Sequence, residues 1–76
     1  MGIQVRMFAS LRERWRIDQV DLPADEARTV ADVWRVLTKE PLPEEVLAAV
    51  NMEYARPEAP VKEGDEVAFF PPVTGG

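Results

Sequence analysis

A single amphipathic helix between strand-like segments constrains the fold more than any other feature of this sequence. Its apolar residues fall at i, i+3, i+4 and i+7, the spacing of one helix face, and they are Val30, Val33, Trp34 and Leu37. Thr29 precedes them as a predicted N-cap, with Asp32 three residues later in a capping-box arrangement. A helix with one apolar face buries it against another layer, and the neighbouring segments indicate that this layer is a sheet.

Strand-like segments lie on both sides of this helix. They alternate between apolar and polar residues or form short apolar runs, and they cover residues 3–7, 18–22, 47–50, a short strand from Tyr54, and residues 66–70. Asn51 signals the turn before Tyr54, and Gly64 suits the positive φ of a tight turn before the last strand. These signals predict four to five short strands.

The order of these elements indicates the fold class. Two strands, the helix and then two or three strands are typical of an α+β domain. The helical crossover allows the first and last strands to pair in parallel. We therefore predict the β-grasp, or ubiquitin-like, fold: a mixed sheet of four to five strands with one main helix across one face. A short additional helix is predicted from Ser10 to about Arg16, with Ser10 and Glu13 as its capping box.

The C-terminal end carries the strongest functional signal. Pro71 and Pro72 stop the last strand, because proline lacks an N–H and fixes φ, and they lead into Val73, Thr74, Gly75 and Gly76. We predict a domain over residues 1–72 and a flexible tail over residues 73–76 that enters a partner's channel. The glycines let that channel close on the backbone, and the Gly76 carboxylate is the predicted working group. A frayed end or an expression remnant is the alternative.

Composition excludes several classes of function. The chain has neither cysteine nor histidine, so thiolate nucleophiles, Cys/His metal sites and the commonest general base are absent. A net charge of −5 disfavours nucleic-acid binding, which depends on clustered basic residues. With 76 residues there is room for one small core, and we expect no enzyme in its own right and no bound cofactor.

The chain also lacks the signals of secretion or membrane insertion. It leads directly into an alternating strand, without the apolar run of a signal peptide. No window approaches the roughly 20 apolar residues that span a bilayer. We therefore expect a cytoplasmic protein without a membrane partner.

Strand alternation predicts a docking surface. If Val5 and Phe69 face the core, Phe8 and Phe70 lie on the sheet face opposite the helix, near the exit of the tail. Tyr54 extends this patch, and Pro71 and Pro72 adjoin it. Contiguous apolar patches often mark interfaces, although single exposed apolar residues are ordinary.

Three segments of the sequence resemble the small, sulfur-carrying subunits of molybdopterin synthase. They are Phe8-Ala9 with Leu11-Arg12-Glu13, then Ala48-Ala49-Val50-Asn51, and finally the run from Gly64 through Phe69-Phe70-Pro71-Pro72-Val73-Thr74 to Gly75-Gly76. The resemblance spans the whole chain and is densest over its last third. It departs at residues 40–45, where many relatives have a longer helix and loop.

The resemblance implies a reaction cycle at Gly76. An activating enzyme of the E1 type adenylates the carboxylate with ATP, and a sulfur donor then replaces AMP to give a thiocarboxylate. The tail inserts into the large synthase subunit, in a heterotetramer, and donates sulfur for the dithiolene of molybdopterin in molybdenum cofactor biosynthesis. Adenylation makes a poor electrophile reactive by attaching a good leaving group.

Other interpretations share the fold. A β-grasp sulfur carrier could serve thiazole formation, tRNA thiolation or cysteine synthesis with the same chemistry at its tip. A ubiquitin-like modifier would instead form an isopeptide bond with a lysine, and a plain binding module would use neither reaction.

Overall fold

The structure is a computed structural model, and it describes residues 2–72. Within this range the secondary structure consists of β1 (Ile3–Met7), α1 (Ala9–Trp15), β2 (Gln19–Leu22), a 3₁₀ turn (Ala24–Glu26), α2 (Val30–Thr38), β3 (Leu47–Val50), β4 (Glu53–Ala55) and β5 (Glu66–Phe70). The predicted tail, residues 73–76, lies outside the described residues.

The five strands form one mixed sheet in the order β2-β1-β5-β3-β4. The first and last strands pair in parallel at its centre, with Val5 opposite Val67 and Met7 opposite Phe69. The remaining neighbours pair antiparallel. The predicted parallel pairing, the mixed sheet and the α+β class are therefore confirmed.

The core lies between the sheet and α2. Val5, Met7, Val67 and Phe69 project from the central strands and are fully buried. The predicted apolar face of α2 covers them, with three of its residues buried and Leu37 half-buried. Trp34 packs edge-on against Phe69, with ring centroids 5.0 Å apart. Burying these side chains supplies the main stabilisation of so small a domain, at roughly 1.5 to 3 kcal/mol for each large side chain.

The two predicted capping boxes have different outcomes. At α2, the Asp32 N–H donates to Thr29 Oγ1 at 3.2 Å, and the Thr29 N–H donates to Asp32 Oδ2 at 3.2 Å, so this capping box is confirmed. At α1, the capping box of Ser10 and Glu13 is wrong, because Phe8 occupies the N-cap position and no side chain caps the helix.

The position of Phe8 explains why α1 starts before the predicted N-cap, Ser10. The Phe8 N–H donates to the Phe69 carbonyl at 3.2 Å, and this bond keeps Phe8 extended as a continuation of β1. Ala9 is then the first helical residue, and Ser10 lies inside the first turn rather than at its cap. Tertiary pairing of β1 with β5 has overridden the local capping signal.

Across residues 2–72 no helix has the length and apolar character needed to cross a bilayer.

Candidate functional site

The face of the sheet that points away from α2 carries a cluster of large side chains. Because β1 and β5 alternate, the residues between the buried positions point to this open face. We call it the aromatic face and define it by the side chains of Arg6, Phe8, Met52, Tyr54, Glu66 and Phe70. They surround a shallow depression of about 350 Å³, whose floor contains Ala49 and Ala68.

Three aromatic rings form a continuous row across this face. The rings of Phe8 and Phe70 are stacked, with centroids 5.0 Å apart and planes inclined by 6°. Tyr54 lies beyond Phe70, edge-on, at a centroid distance of 6.5 Å. Tyr54 is 79% exposed, while the two phenylalanines are half-buried. The structure thus brings together the three aromatic residues that the sequence singled out.

Arg6 extends the row on the other side of Phe8. Its guanidinium carbon lies 5.2 Å from the centroid of the Phe8 ring, in the range of a cation–π contact. Its Nη1 atom is 3.9 Å from Glu66 Oε2, which is an ion pair but is beyond hydrogen-bonding distance. The aromatic face therefore carries one positive and one negative side chain beside its rings.

A tight hairpin holds Met52 and Tyr54 in place. Asn51 and Met52 both have positive φ, 51° and 72°, as the two-residue connection between β3 and β4 requires. The Asn51 side chain then ties this turn to β5: its amide donates to Asp65 Oδ1 at 3.0 Å, and its Oδ1 accepts from the Glu66 N–H at 3.0 Å. The hairpin and the last strand are therefore fixed relative to each other.

Asp65 is the buried polar centre of this connection. Its carboxylate accepts the Asn51 amide, the Lys62 backbone N–H at 2.9 Å and the Lys62 ammonium at 3.3 Å. The Asn51 hydrogen bond and the two contacts from Lys62 hold the pKa of Asp65 below its usual value, although burial acts in the opposite direction. Gly64, with φ of 92°, makes the predicted tight turn before Asp65.

The phenylalanine pair of the aromatic face lies at the C-terminal end of the last strand. Phe70 is the final residue of β5, and Pro71 and Pro72 follow it without regular secondary structure. Pro71 is half-buried and Pro72 is exposed. The predicted channel residues Val73, Thr74 and Gly75 and the predicted reactive residue Gly76 lie outside the described residues, so their roles remain predictions.

Sequence reasoning missed three members of the aromatic face: Arg6, Met52 and Glu66. Alternation could have found Arg6 and Glu66, since Arg6 lies between the inward-facing Val5 and Met7, and Glu66 directly precedes the inward-facing Val67. Met52 is 92% exposed and lies in the turn between β3 and β4, where both residues have positive φ and strand alternation does not apply.

Comparison with known proteins agrees with this architecture. The profile of the ThiS family matches residues 5–76. The molybdopterin synthase sulfur carrier subunit of Escherichia coli is 37% identical, and the alignment covers 97% of this chain and 99% of that protein. The subunit of the same name from Haemophilus influenzae is 36% identical with the same coverage.

Solved structures show the same fold. The crystal structure of the small archaeal modifier protein 1 of H. volcanii superposes with a TM-score of 0.76 and 26% identity, covering 93% of this chain and 97% of that one. The family match over nearly the whole chain, the curated relatives of more than one-third identity and the shared mixed sheet lead to one conclusion. The chain belongs to the ThiS family of ubiquitin-like β-grasp proteins.

Proposed function

We propose that this chain is the sulfur carrier subunit of a molybdopterin synthase. The observation that carries the proposal is its 37% identity, over 97% of its length, to a curated protein of that name. The geometry is consistent with such a role, since Phe8 and Phe70 of the aromatic face lie at the end of β5 that leads to the predicted tail. A carrier of this kind supplies sulfur to a complex and is not a catalyst on its own.

The proposed chemistry takes place at the Gly76 carboxylate. A carboxylate oxygen attacks the α-phosphorus of ATP, the bond to pyrophosphate breaks, and an acyl-adenylate forms. A sulfur nucleophile at the oxidation level of hydrosulfide then attacks the acyl carbon and expels AMP, which leaves a thiocarboxylate. An activating enzyme of the E1 type performs the adenylation and a sulfur donor supplies the nucleophile, because this chain has neither cysteine nor histidine to carry out such steps.

The thiocarboxylate then delivers its sulfur in the large subunit. We propose that the aromatic face, with Phe8, Tyr54 and Phe70 at its centre and Pro71 and Pro72 at its edge, docks on that subunit and directs the tail into its channel. Exposed aromatic side chains are typical anchors of protein interfaces. Molybdopterin is made from the cyclic pterin precursor, and two carriers acting in turn supply its two dithiolene sulfurs.

The intact mass of the protein tests the proposed chemistry. The chain is purified from cells that contain the activating machinery, and a parallel sample comes from cells that lack the activating enzyme. We expect a mass increase corresponding to one oxygen replaced by sulfur, located at Gly76 by fragmentation, in the first sample alone. An unmodified terminus in both samples would refute the sulfur-carrier proposal.

A second candidate function rests on the structural similarity to an archaeal modifier protein. In that case the activated Gly76 carbonyl is attacked by a lysine amine of a target protein and forms an isopeptide bond. The same mass measurement distinguishes the two, because a modifier yields branched adducts and a carrier yields a thiocarboxylate. Reconstitution with the large subunit and the pterin precursor then separates molybdopterin synthesis from other thiolation pathways.

A further inference from the structure

The aromatic face contains a cation whose environment within the domain is incomplete. Arg6 lies on β1 between the fully buried Val5 and Met7, so its side chain has to leave on the open side of the sheet. Its guanidinium packs over Phe8, and its side chain remains 42% exposed. A positive charge is therefore held at a defined position beside the row of rings.

Within the described part of the chain, the N–H donors of this guanidinium lack hydrogen-bond acceptors at two positions, Nε and Nη1. Among residues 2–72, its Nε atom is buried and has no hydrogen-bond partner. The nearest carboxylate oxygen, Glu66 Oε2, is 3.9 Å from Nη1, and that distance is too long for a hydrogen bond. Buried polar groups in folded proteins are nearly always hydrogen-bonded, so an unpaired donor in such a position requires an explanation.

Covering the aromatic face would make this deficit larger. A protein docked on Phe8 and Phe70 removes water from the neighbouring guanidinium, and a charge that loses water without gaining a partner is strongly disfavoured. A planar guanidinium matches a carboxylate through two parallel hydrogen bonds, which are stronger than neutral ones. Arginine is also enriched among the residues that dominate binding energy at interfaces.

We propose that the partner docking on the aromatic face presents an Asp or Glu carboxylate to Arg6, and that this pair selects the partner. The inference rests on the proposed function, since it takes the large subunit of molybdopterin synthase as the occupant. The apolar rings provide contact area, whereas Arg6 adds a requirement for one acceptor at one position. A surface with a lysine or an apolar residue at that place would leave the guanidinium unpaired and would bind weakly.

The test measures the dissociation constant between full-length carrier variants and the large subunit at low and high salt. Arg6→Met keeps an unbranched apolar stem over Phe8, Arg6→Gln keeps hydrogen-bond donors without charge, and Phe70→Ala reports on docking itself. Arg35→Met is the matched control, because Arg35 lies on α2, which covers the opposite face of the sheet. Melting temperatures establish that each variant is folded.

We expect Arg6→Met and Arg6→Gln each to weaken binding more than tenfold at low salt and to reduce its salt dependence, while Arg35→Met binds like the parent. If Arg6→Gln keeps parental affinity and salt dependence, the acceptor is not a carboxylate and the inference is wrong. If only Phe70→Ala weakens binding, the docking proposal stands without a role for Arg6. If the parent does not bind the large subunit, the proposed function and this inference both fail.

Glu66 is the alternative partner of Arg6, because its carboxylate, 3.9 Å away in the same chain, could move into hydrogen-bonding distance when water is removed. A double-mutant cycle with Glu66→Gln and Arg6→Met measures this coupling in the complex. We expect Glu66→Gln to bind at least as tightly as the parent, since it removes a competitor for the guanidinium. The inference would be wrong if Glu66→Gln weakened binding as much as Arg6→Met and the double variant bound no more weakly than either single variant. That result would assign Glu66 as the partner of Arg6.

Discussion

The rings of Phe8 and Phe70 stack 5.0 Å apart and are inclined by only 6°, although the two residues come from opposite ends of the chain. Parallel pairing of β1 with β5 brings them together, since the C-terminal ends of parallel strands lie at the same edge of the sheet. Phe8 continues β1 and Phe70 ends β5. The stacked phenylalanines of the aromatic face therefore lie at the point from which the chain leads into the predicted tail.

The neighbouring residues Phe69 and Phe70 should have opposite roles. Phe69 is fully buried against Trp34, so Phe69→Ala should lower the free energy of unfolding by roughly 3 to 5 kcal/mol. Phe70→Ala should weaken binding to the large subunit more than tenfold, because a buried aromatic anchor contributes roughly 1.5 to 3 kcal/mol. Its effect on unfolding should be smaller than that of Phe69→Ala, because Phe70 is only half-buried, and the lost ring stacking should account for about 0.5 to 1.5 kcal/mol of it.

Urea unfolding and calorimetric titration of each variant check this contrast. Parental binding by Phe70→Ala, or an exchange of the two effects between the variants, would contradict the assignment of the two sheet faces.

Deletion of Gly76 should abolish sulfur delivery while leaving the fold intact. The reactive carbon would end about 3.3 to 3.6 Å short of its place in the partner, and a misplacement of 1 Å can cost about a hundredfold in rate. Molybdopterin synthesis in a reconstituted system measures the activity, and the melting temperature serves as the control. Normal synthesis by the shortened chain would mean that Gly76 is not the acyl carrier.

Gly75→Val should impair activation without affecting stability. A β-branched side chain widens the chain and restricts its φ and ψ, which hinders passage through a closely fitting channel. Adenylation and sulfur transfer are assayed separately, with Glu63→Gln, a change at an exposed turn residue, as a control. Equal rates of Gly75→Val and the parent in both half-reactions would exclude a narrow channel.

Thr29→Ala and Ser10→Ala should differ, although the sequence predicts an N-cap at both positions. Thr29 accepts a hydrogen bond from the Asp32 N–H, so its loss should destabilise the domain by about 1 kcal/mol. Ser10 caps nothing, and its replacement should change the free energy of unfolding by less than about 0.5 kcal/mol. Chemical denaturation of both variants tests this; equal losses would mean that Ser10 does cap α1.

Stability should fall when the pH drops below about 4, and Asp65 should contribute to that fall. Its pKa in the folded protein is lowered by the Asn51 amide and by Lys62, whereas in the unfolded chain it returns to about 3.8. The folded state therefore gains stability above that value and loses it as the pH falls through the lowered pKa. Asp32 adds to the same acid limb, since the Arg28 backbone N–H, the N–H and hydroxyl of Thr29 and the Arg35 guanidinium lower its pKa.

Replacement of Asp65 by asparagine checks this contribution. Asp65→Asn should be less stable than the parent at pH 7 and should lose less stability between pH 7 and pH 3. Urea unfolding at both pH values measures the difference, and parallel pH curves for parent and variant would contradict a role for the Asp65 charge.

The sequence by itself determined the order of the strands and of the main helix, the fold class and the two faces of the sheet. Alternation in β1 and β5 separates Val5 and Phe69 from Phe8 and Phe70, and the spacing of Val30, Val33 and Trp34 defines the buried side of α2. These are local periodicities, and each follows from the geometry of a strand or a helix. The turns at Asn51 and Gly64 were also predictable, because their residues tolerate positive φ.

Only the tertiary structure decided which of these residues meet. The stacking of Phe8 on Phe70, the burial of Asp65 beneath Asn51 and the incomplete environment of Arg6 depend on contacts between segments that are distant along the chain. The start of α1 depends on them as well, since the bond from Phe8 to Phe69 outweighs the capping signal at Ser10. Local patterns define the direction of a side chain, whereas its neighbours are set by strand order and register.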